Sequence, residues 1–234
     1  MMETLVTLIV SLVLQSVMID IDTKERIKIV AHELFMQYGI RSISMDDIAS
    51  KLGMSKKTIY LYYKDKDELV EAVIENVIGQ NQCSCNADKE NARDAVDEIF
   101  LAMDMVTEIF RSMNPSVLYD LQKFHPTAFT KFLMHKNDFL LSMMRQNLSR
   151  GKTEELYRPE INIEIMSRFR VESMFIPFNP EFVRNTKSSL VDLEQEIIVH
   201  FLYGLVTLKG YKLILKYMEQ RQKSSATTLK NTYR

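Results

Sequence analysis

Tryptophan is absent from this 234-residue sequence, and cysteine (two), histidine (four), proline (five) and glycine (six) are scarce. Cys83 and Cys85 are too few for a disulfide scaffold and too close for an easy mutual bridge, so they fit a reduced cytoplasm. His32, His125, His135 and His200 are scattered, and no spacing suggests a metal site. There is no glycine-rich phosphate loop, no nucleophile elbow and no histidine–carboxylate cluster, so an enzyme is not expected and no cofactor is implied. Net charge is only −1, which excludes a general polyanion binder. Strand-like alternation and internal repeats are missing too. A fully membrane-spanning run is also missing. Thr4 to Ile19 is uncharged but as a helix would reach only about 24 Å, short of the roughly 30 Å hydrocarbon core. It has neither a positive n-region nor an obvious cleavage site. Residues 1–19 are therefore expected to be a non-essential apolar extension, with a membrane tether as the alternative.

What is present is concentrated in residues 44–69. Ser44 can cap a helix and Asp47, three residues on, completes a capping box. Ile48, Ala49 and Leu52 form its inward stripe, Gly53 suits the left-handed residue that ends it, and Ser55 can cap the next helix. That second helix, Lys56 to about Tyr63, is short, basic and rich in hydroxyls, the form in which a helix–turn–helix presents side chains to a DNA major groove. Between Arg41 and Lys66 six basic residues face three aspartates, a local excess of positive charge. Lys56 and Lys57 sit in the first turn, where the helix dipole disfavours cations, which favours a phosphate or base partner over a merely solvated face. An amphipathic helix precedes the unit, with Ile27, Val30, Ala31, Leu34, Phe35 and Tyr38 on one face and Gly39 at its end. Asp65 and Glu68 offer a second capping box to a following helix that carries Leu69, Ala72, Val73 and Val77.

The order Phe35–Gly39, then Ser44-Met45, Ile48-Ala49, Leu52-Gly53, Ser55, Thr58-Ile59-Tyr60, Tyr62-Tyr63, Lys66 and Leu69 closely resembles the TetR family of transcriptional regulators over residues 23–78. The resemblance implies an all-α homodimer in which each subunit has an N-terminal three-helix helix–turn–helix DNA-binding domain and a C-terminal helical effector and dimerisation domain. It implies a regulator, more often a repressor, that binds a palindromic double-stranded operator in the cytoplasm. By position, Tyr60 and Lys66 match phosphate-contacting residues and Thr58 and Tyr62 match groove-facing ones. With Ser44, Lys56 and Lys57 they form the expected DNA-binding set. Ile59 is expected in the core, and Tyr63 partly so.

The domains are expected at 20–80 and 87–221, with a polar linker across 80–88 and a disordered basic tail at 222–234. Between them lie helices 91–113, 116–124, 127–148 (closed by Gly151), 160–175 and 190–218. Residues 91–175 are rich in Met and Phe, which by composition reads simply as core. The resemblance adds a pocket for a small apolar effector, with Met103, Phe110, Phe132, Met143 and Phe169 as its candidate lining. The last segment is apolar over a broad arc through Leu193, Ile197, Phe201, Leu205 and Leu208. Such a helix needs partners on two sides. It is expected at a dimer interface, the alternative being the centre of a monomeric core.

Overall fold

The computed structural model describes residues 22–184 and 186–232, with side chains to Lys223, so the apolar segment 1–19 lies outside the described residues. The described chain is helical, apart from an isolated bridge between Tyr157 and Val206. Its helices are α1 (residues 22–38), α2 (Met45–Leu52), α3 (Lys56–Tyr62), α4 (Lys66–Asn91), α5 (Ala95–Ser112), α6 (Ser116–Phe124), α7 (Pro126–Met134), α8 (Leu141–Thr153), α9 (Ile163–Ser173), α10 (Pro180–Val183), α11 (Leu190–Leu205) and α12 (Leu208–Thr232). No described helix is long and apolar enough to cross a membrane. The chain divides into two compact units, residues 1–77 with 113–131, and residues 78–112 with 132–234.

In the first unit α1 to α4 enclose a small core. Ile27, Ala31 and Phe35 recur every fourth residue on α1 and are buried, as are Ile48 and Ala49 on α2, Ile59 on α3, and Leu69, Val70 and Val73 on α4. Burying a side chain such as Ile59 or Leu69 contributes about 1.5–3 kcal/mol. Tyr38, expected on the inward face of α1, is instead half exposed, because the helix ends there and Gly39 turns the chain away. Gly39 adopts φ +84, and a Cβ on it would lie 2.5 Å from Ser116 Oγ. That close approach shows why residues 113–131 belong with this unit. Asn114 N–H donates to Met36 O (2.6 Å), and the buried Asp120 carboxylate accepts from Arg41 N–H (2.9 Å). His125 pairs with Asp67 at 2.6 Å, and Lys131 pairs with Glu71 and Glu75. Contacts between residues so far apart in sequence leave no trace in local periodicity.

The second unit is built on α5, α8, α11 and α12. Val96, Ile99, Phe100, Leu148, Tyr157, Ile198, Phe201, Leu202, Leu205 and Ile214 form its core. Several expectations are corrected here. The segment 80–88 is no linker, since α4 runs unbroken through it. Gly151 does not close a helix but lies inside α8, packed on the Tyr157 ring. A π-helical turn, His135–Leu140, joins α7 to α8. The last long helix is two: Val206 is extended, Thr207 N–H donates to Leu156 O, and α12 then begins. The backbone of α12 continues to Thr232 where a disordered tail was expected.

Candidate nucleic-acid interface

The helix–turn–helix is held by its own caps. Ser44 accepts from Asp47 N–H, and Asp47 accepts in return from Ser44 N–H (2.8 Å) and Ser44 Oγ (2.6 Å). These hydrogen bonds from Ser44 hold the Asp47 carboxyl below its ordinary range. Gly53 closes α2 at φ +65, donating to Ala49 and Ser50 carbonyls. Ser55 caps α3, accepting from Thr58 N–H at 3.1 Å. At the other end Glu68 N–H donates to Asp65, but the Glu68 carboxylate takes Lys64 N–H (2.7 Å), so the reciprocal box expected there closes one residue earlier.

Ile59 faces the core and Tyr63 is buried, its hydroxyl donating to Lys24 O at 3.3 Å. Burial pushes the Tyr63 phenol up to about 12. The remaining side chains of α3 face outward or sideways. Lys56 is exposed but pairs with Asp46 at 2.8 Å, a hydrogen bond that holds its ammonium above the ordinary range. Lys57 is exposed with no ion-pair partner among the described residues. The Thr58 hydroxyl is hydrogen-bonded to Ser55 Oγ at 2.8 Å, Tyr60 is 42% exposed and Tyr62 is partly buried. Leu61, absent from the expected set, is 75% exposed.

Two residues of the expected set also have partners within the protein. The Lys66 ammonium donates to Ile40 O at 2.6 Å and lies over the Phe35 ring, and its burial lowers its pKa against the pull of Asp120, Asp67 and Asp47. That bond fastens the α1–α2 turn. The Ser44 hydroxyl likewise takes part in the capping box. A helical wheel would have revealed Leu61, which stands about 200° from Ile59 and one turn from Lys57. The ties of Lys66 could not be read that way, because its partner is a backbone carbonyl 26 residues away.

The C-terminal candidates differ in their surroundings. Met103 is core, Phe110 meets Phe178 edge-on (5.2 Å between centroids), Phe132 meets Phe175 (5.7 Å), Met143 is partly buried, and Phe169 is half exposed over Phe201. Phe110 and Phe132 thus meet the same turn of residues 175–178, while Phe169 packs on Phe201. Among the interface candidates Phe201 and Leu205 are fully consumed by the core of their own subunit. They are corrected to core. Leu193 and Ile197 are partly buried, and only Leu208 is well exposed, at 71%. Broad apolarity thus served the subunit's interior on the arc centred on Phe201. Among the described residues no cluster of His, Cys, Asp and Glu could hold a metal ion.

A short helix presenting a cation and a tyrosine outward from a capped helix–turn–helix defines a DNA-binding transcriptional regulator. Residues 30–73 match the model for bacterial regulatory proteins of the tetR family. It is similar to the HTH-type transcriptional regulator YvaF of Bacillus subtilis, 26% identical over 68% of this chain and 82% of YvaF. Its fold is that of a transcriptional regulator from Saccharomonospora viridis solved with choline (TM-score 0.65, 14% identity, 80% of this chain and 98% of that one). It is also that of the regulator FadR of Bacillus subtilis solved with stearoyl-CoA (TM-score 0.57, 15% identity, 77% and 98%). Regulators of this family bind DNA and form dimers.

Proposed function

We propose that the protein is a ligand-responsive repressor that binds a palindromic operator as a homodimer, reading it with α3, and that a small effector releases it. The observation that carries the DNA part is the outward face of α3, where Lys57 and Tyr60 stand free of the core on a helix locked by Ser55. Lys56, Thr58 and Tyr62 flank that face, and Ser44 and Lys66 act from behind as the groups that fix it. Replacing Lys57 with alanine is expected to weaken all duplexes alike and to flatten the slope of log affinity against log salt by about one unit per subunit. Affinity titrations at several salt concentrations test this. An unchanged slope would remove Lys57 from the interface.

Dimerisation through α9, α11 and α12 is supported by the apolar side chains they leave exposed: Ile165, Phe169, Tyr203, Leu208, Tyr211 and Leu215. Exposed apolar groups in such number on one unit mark a surface that meets another molecule. Leu215→Glu is expected to yield a folded monomer, raising the dimer dissociation constant about 30-fold or more, the effect of losing a contact worth about 2 kcal/mol. Leu205→Glu, by contrast, should unfold the subunit. Sedimentation with circular dichroism separates the two. A Leu215→Glu dimer of unchanged affinity would exclude this face.

The effector reading rests on the family and on relatives solved with ligands. α4 supports a route for the switch, because one helix carries the Asp67–His125 and Glu71–Lys131 pairs near its start and continues into the second unit. Two reading helices must lie roughly 34–36 Å apart to enter successive grooves, so a modest change in α4 suffices to prevent simultaneous engagement. A hundredfold release requires about 2.7 kcal/mol of differential ligand affinity. Selecting bound duplexes with the full-length protein, then titrating ligands found by thermal shift, tests the whole reading.

A further inference from the structure

We propose that Leu61 is a base-reading residue whose side chain packs against the 5-methyl group of a thymine in the major groove. This deepens the DNA-binding reading and rests on it. Helix α3 has seven residues, and their surroundings divide them cleanly. Ile59 is fully buried and fixes the inward direction. Lys56 is tied to Asp46 and the Thr58 hydroxyl to Ser55. At about 100° per residue, Lys57 falls near 160° from Ile59 and Leu61 near 200°, so these two share the outermost strip, one turn and about 6 Å apart. Tyr60 lies beside them at roughly 100°. The burial pattern agrees: Lys57 and Leu61 are exposed, Leu61 by 75%.

A single exposed leucine is ordinary on a protein surface. Its meaning here comes from its place. The strip it shares with Lys57 is the part of α3 that travels deepest into a groove if the helix reads DNA at all. Leu61 carries no donor or acceptor, so it cannot bind a phosphate oxygen or the polar edge of a base. The apolar group that the major-groove edge of a base pair presents is the thymine methyl, and packing on it distinguishes A·T from T·A and from both G·C arrangements. The residue therefore supplies specificity where Lys57 supplies attraction to every sequence.

The probe is a duplex selected from random sequence by the full-length protein, followed by replacement of each thymine in turn with deoxyuridine. That exchange deletes one methyl group and leaves every Watson–Crick hydrogen bond intact. Wild-type protein is expected to lose about fourfold in affinity at one thymine position per half-site, the value of one buried methyl-sized group. Leu61→Ala is expected to bind the parent duplex more weakly and to be indifferent to deoxyuridine at that same position, as coupling between two contacting groups requires. The substitution touches an exposed helical site, and alanine favours helix, so the variant keeps its fold. If a duplex is selected but no thymine is sensitive, or if Leu61→Ala retains the wild-type sensitivity, the proposal is overturned while DNA binding stands. If no duplex is selected, the DNA-binding reading itself falls, and this one with it.

Discussion

Replacing Glu194 with leucine is expected to destabilise the protein by about 3–5 kcal/mol at neutral pH. Glu194 on α11 and Arg170 on α9 are both nearly inaccessible, and an Arg170 amino group donates to Glu194 Oε1 at 2.5 Å. A second guanidinium nitrogen reaches Ser173 Oγ, but Glu194 Oε2 has no hydrogen-bond partner. The pair is therefore incompletely satisfied. Removing the carboxylate strands a guanidinium that cannot shed its proton. Arg170→Met differs because a stranded carboxyl can take up a proton. Burial already holds the Glu194 carboxyl above its ordinary range, outweighing the opposing pull of Arg170, and losing that pull raises it further. A group with a raised pKa binds its proton more tightly in the folded state. Stability is thus retained below the ordinary carboxylate range and lost as pH rises through the folded value. The Arg170→Met penalty should be smaller at acidic pH and grow as pH rises toward neutrality. The double replacement Arg170→Met with Glu194→Leu should recover most of the loss, since apolar residues fill the space without charge. Urea unfolding of all three at acidic and at neutral pH decides it. Parallel pH behaviour of the two single variants would show that the pair is not the source of the cost.

The second large effect concerns two glycines that look alike in sequence. Gly151→Ala is expected to destabilise the protein by about 1–3 kcal/mol, whereas Gly79→Ala should stabilise it by about 0.5–1 kcal/mol. Both lie inside helices, where alanine is intrinsically better by about 1 kcal/mol. At Gly79 nothing lies within 4 Å of an added Cβ, so the propensity gain is kept. At Gly151 the Cβ would overlap the edge of the Tyr157 ring and sit 2.7 Å from its Cγ. That ring cannot step aside. It is fully buried and its hydroxyl is bonded to Ala95 O and Asn147 Oδ1. Overlap therefore outweighs propensity. Denaturant midpoints measured side by side, at unchanged m-value, test the contrast. A stabilised Gly151→Ala would mean that Tyr157 yields.

The helix–turn–helix was legible in the sequence because each of its devices is local. Ser44 and Asp47 cap across three residues, Gly53 supplies a left-handed turn, and Ser55 opens α3, so residue type and spacing alone specify them. The family, the all-helical class and the inward role of Ile59 followed from the same signals. Tertiary structure decided the rest. Periodicity ranks the faces of a helix by polarity but cannot say which apolar arc meets its own subunit. Phe201 and Leu205 went to the interior, and Leu208, Tyr211 and Leu215 stayed outside. It cannot break α11 from α12 at Val206 either, where hydrogen bonds from Arg158 and Thr207 N–H to Leu205 O and Leu156 O hold the break. Nor can it assign Lys66 to the Ile40 carbonyl, or Arg170 to Glu194, because charges choose partners by proximity in space. Short-range chemistry fixed what kind of protein this is, and long-range packing chose which of its residues remain free to act.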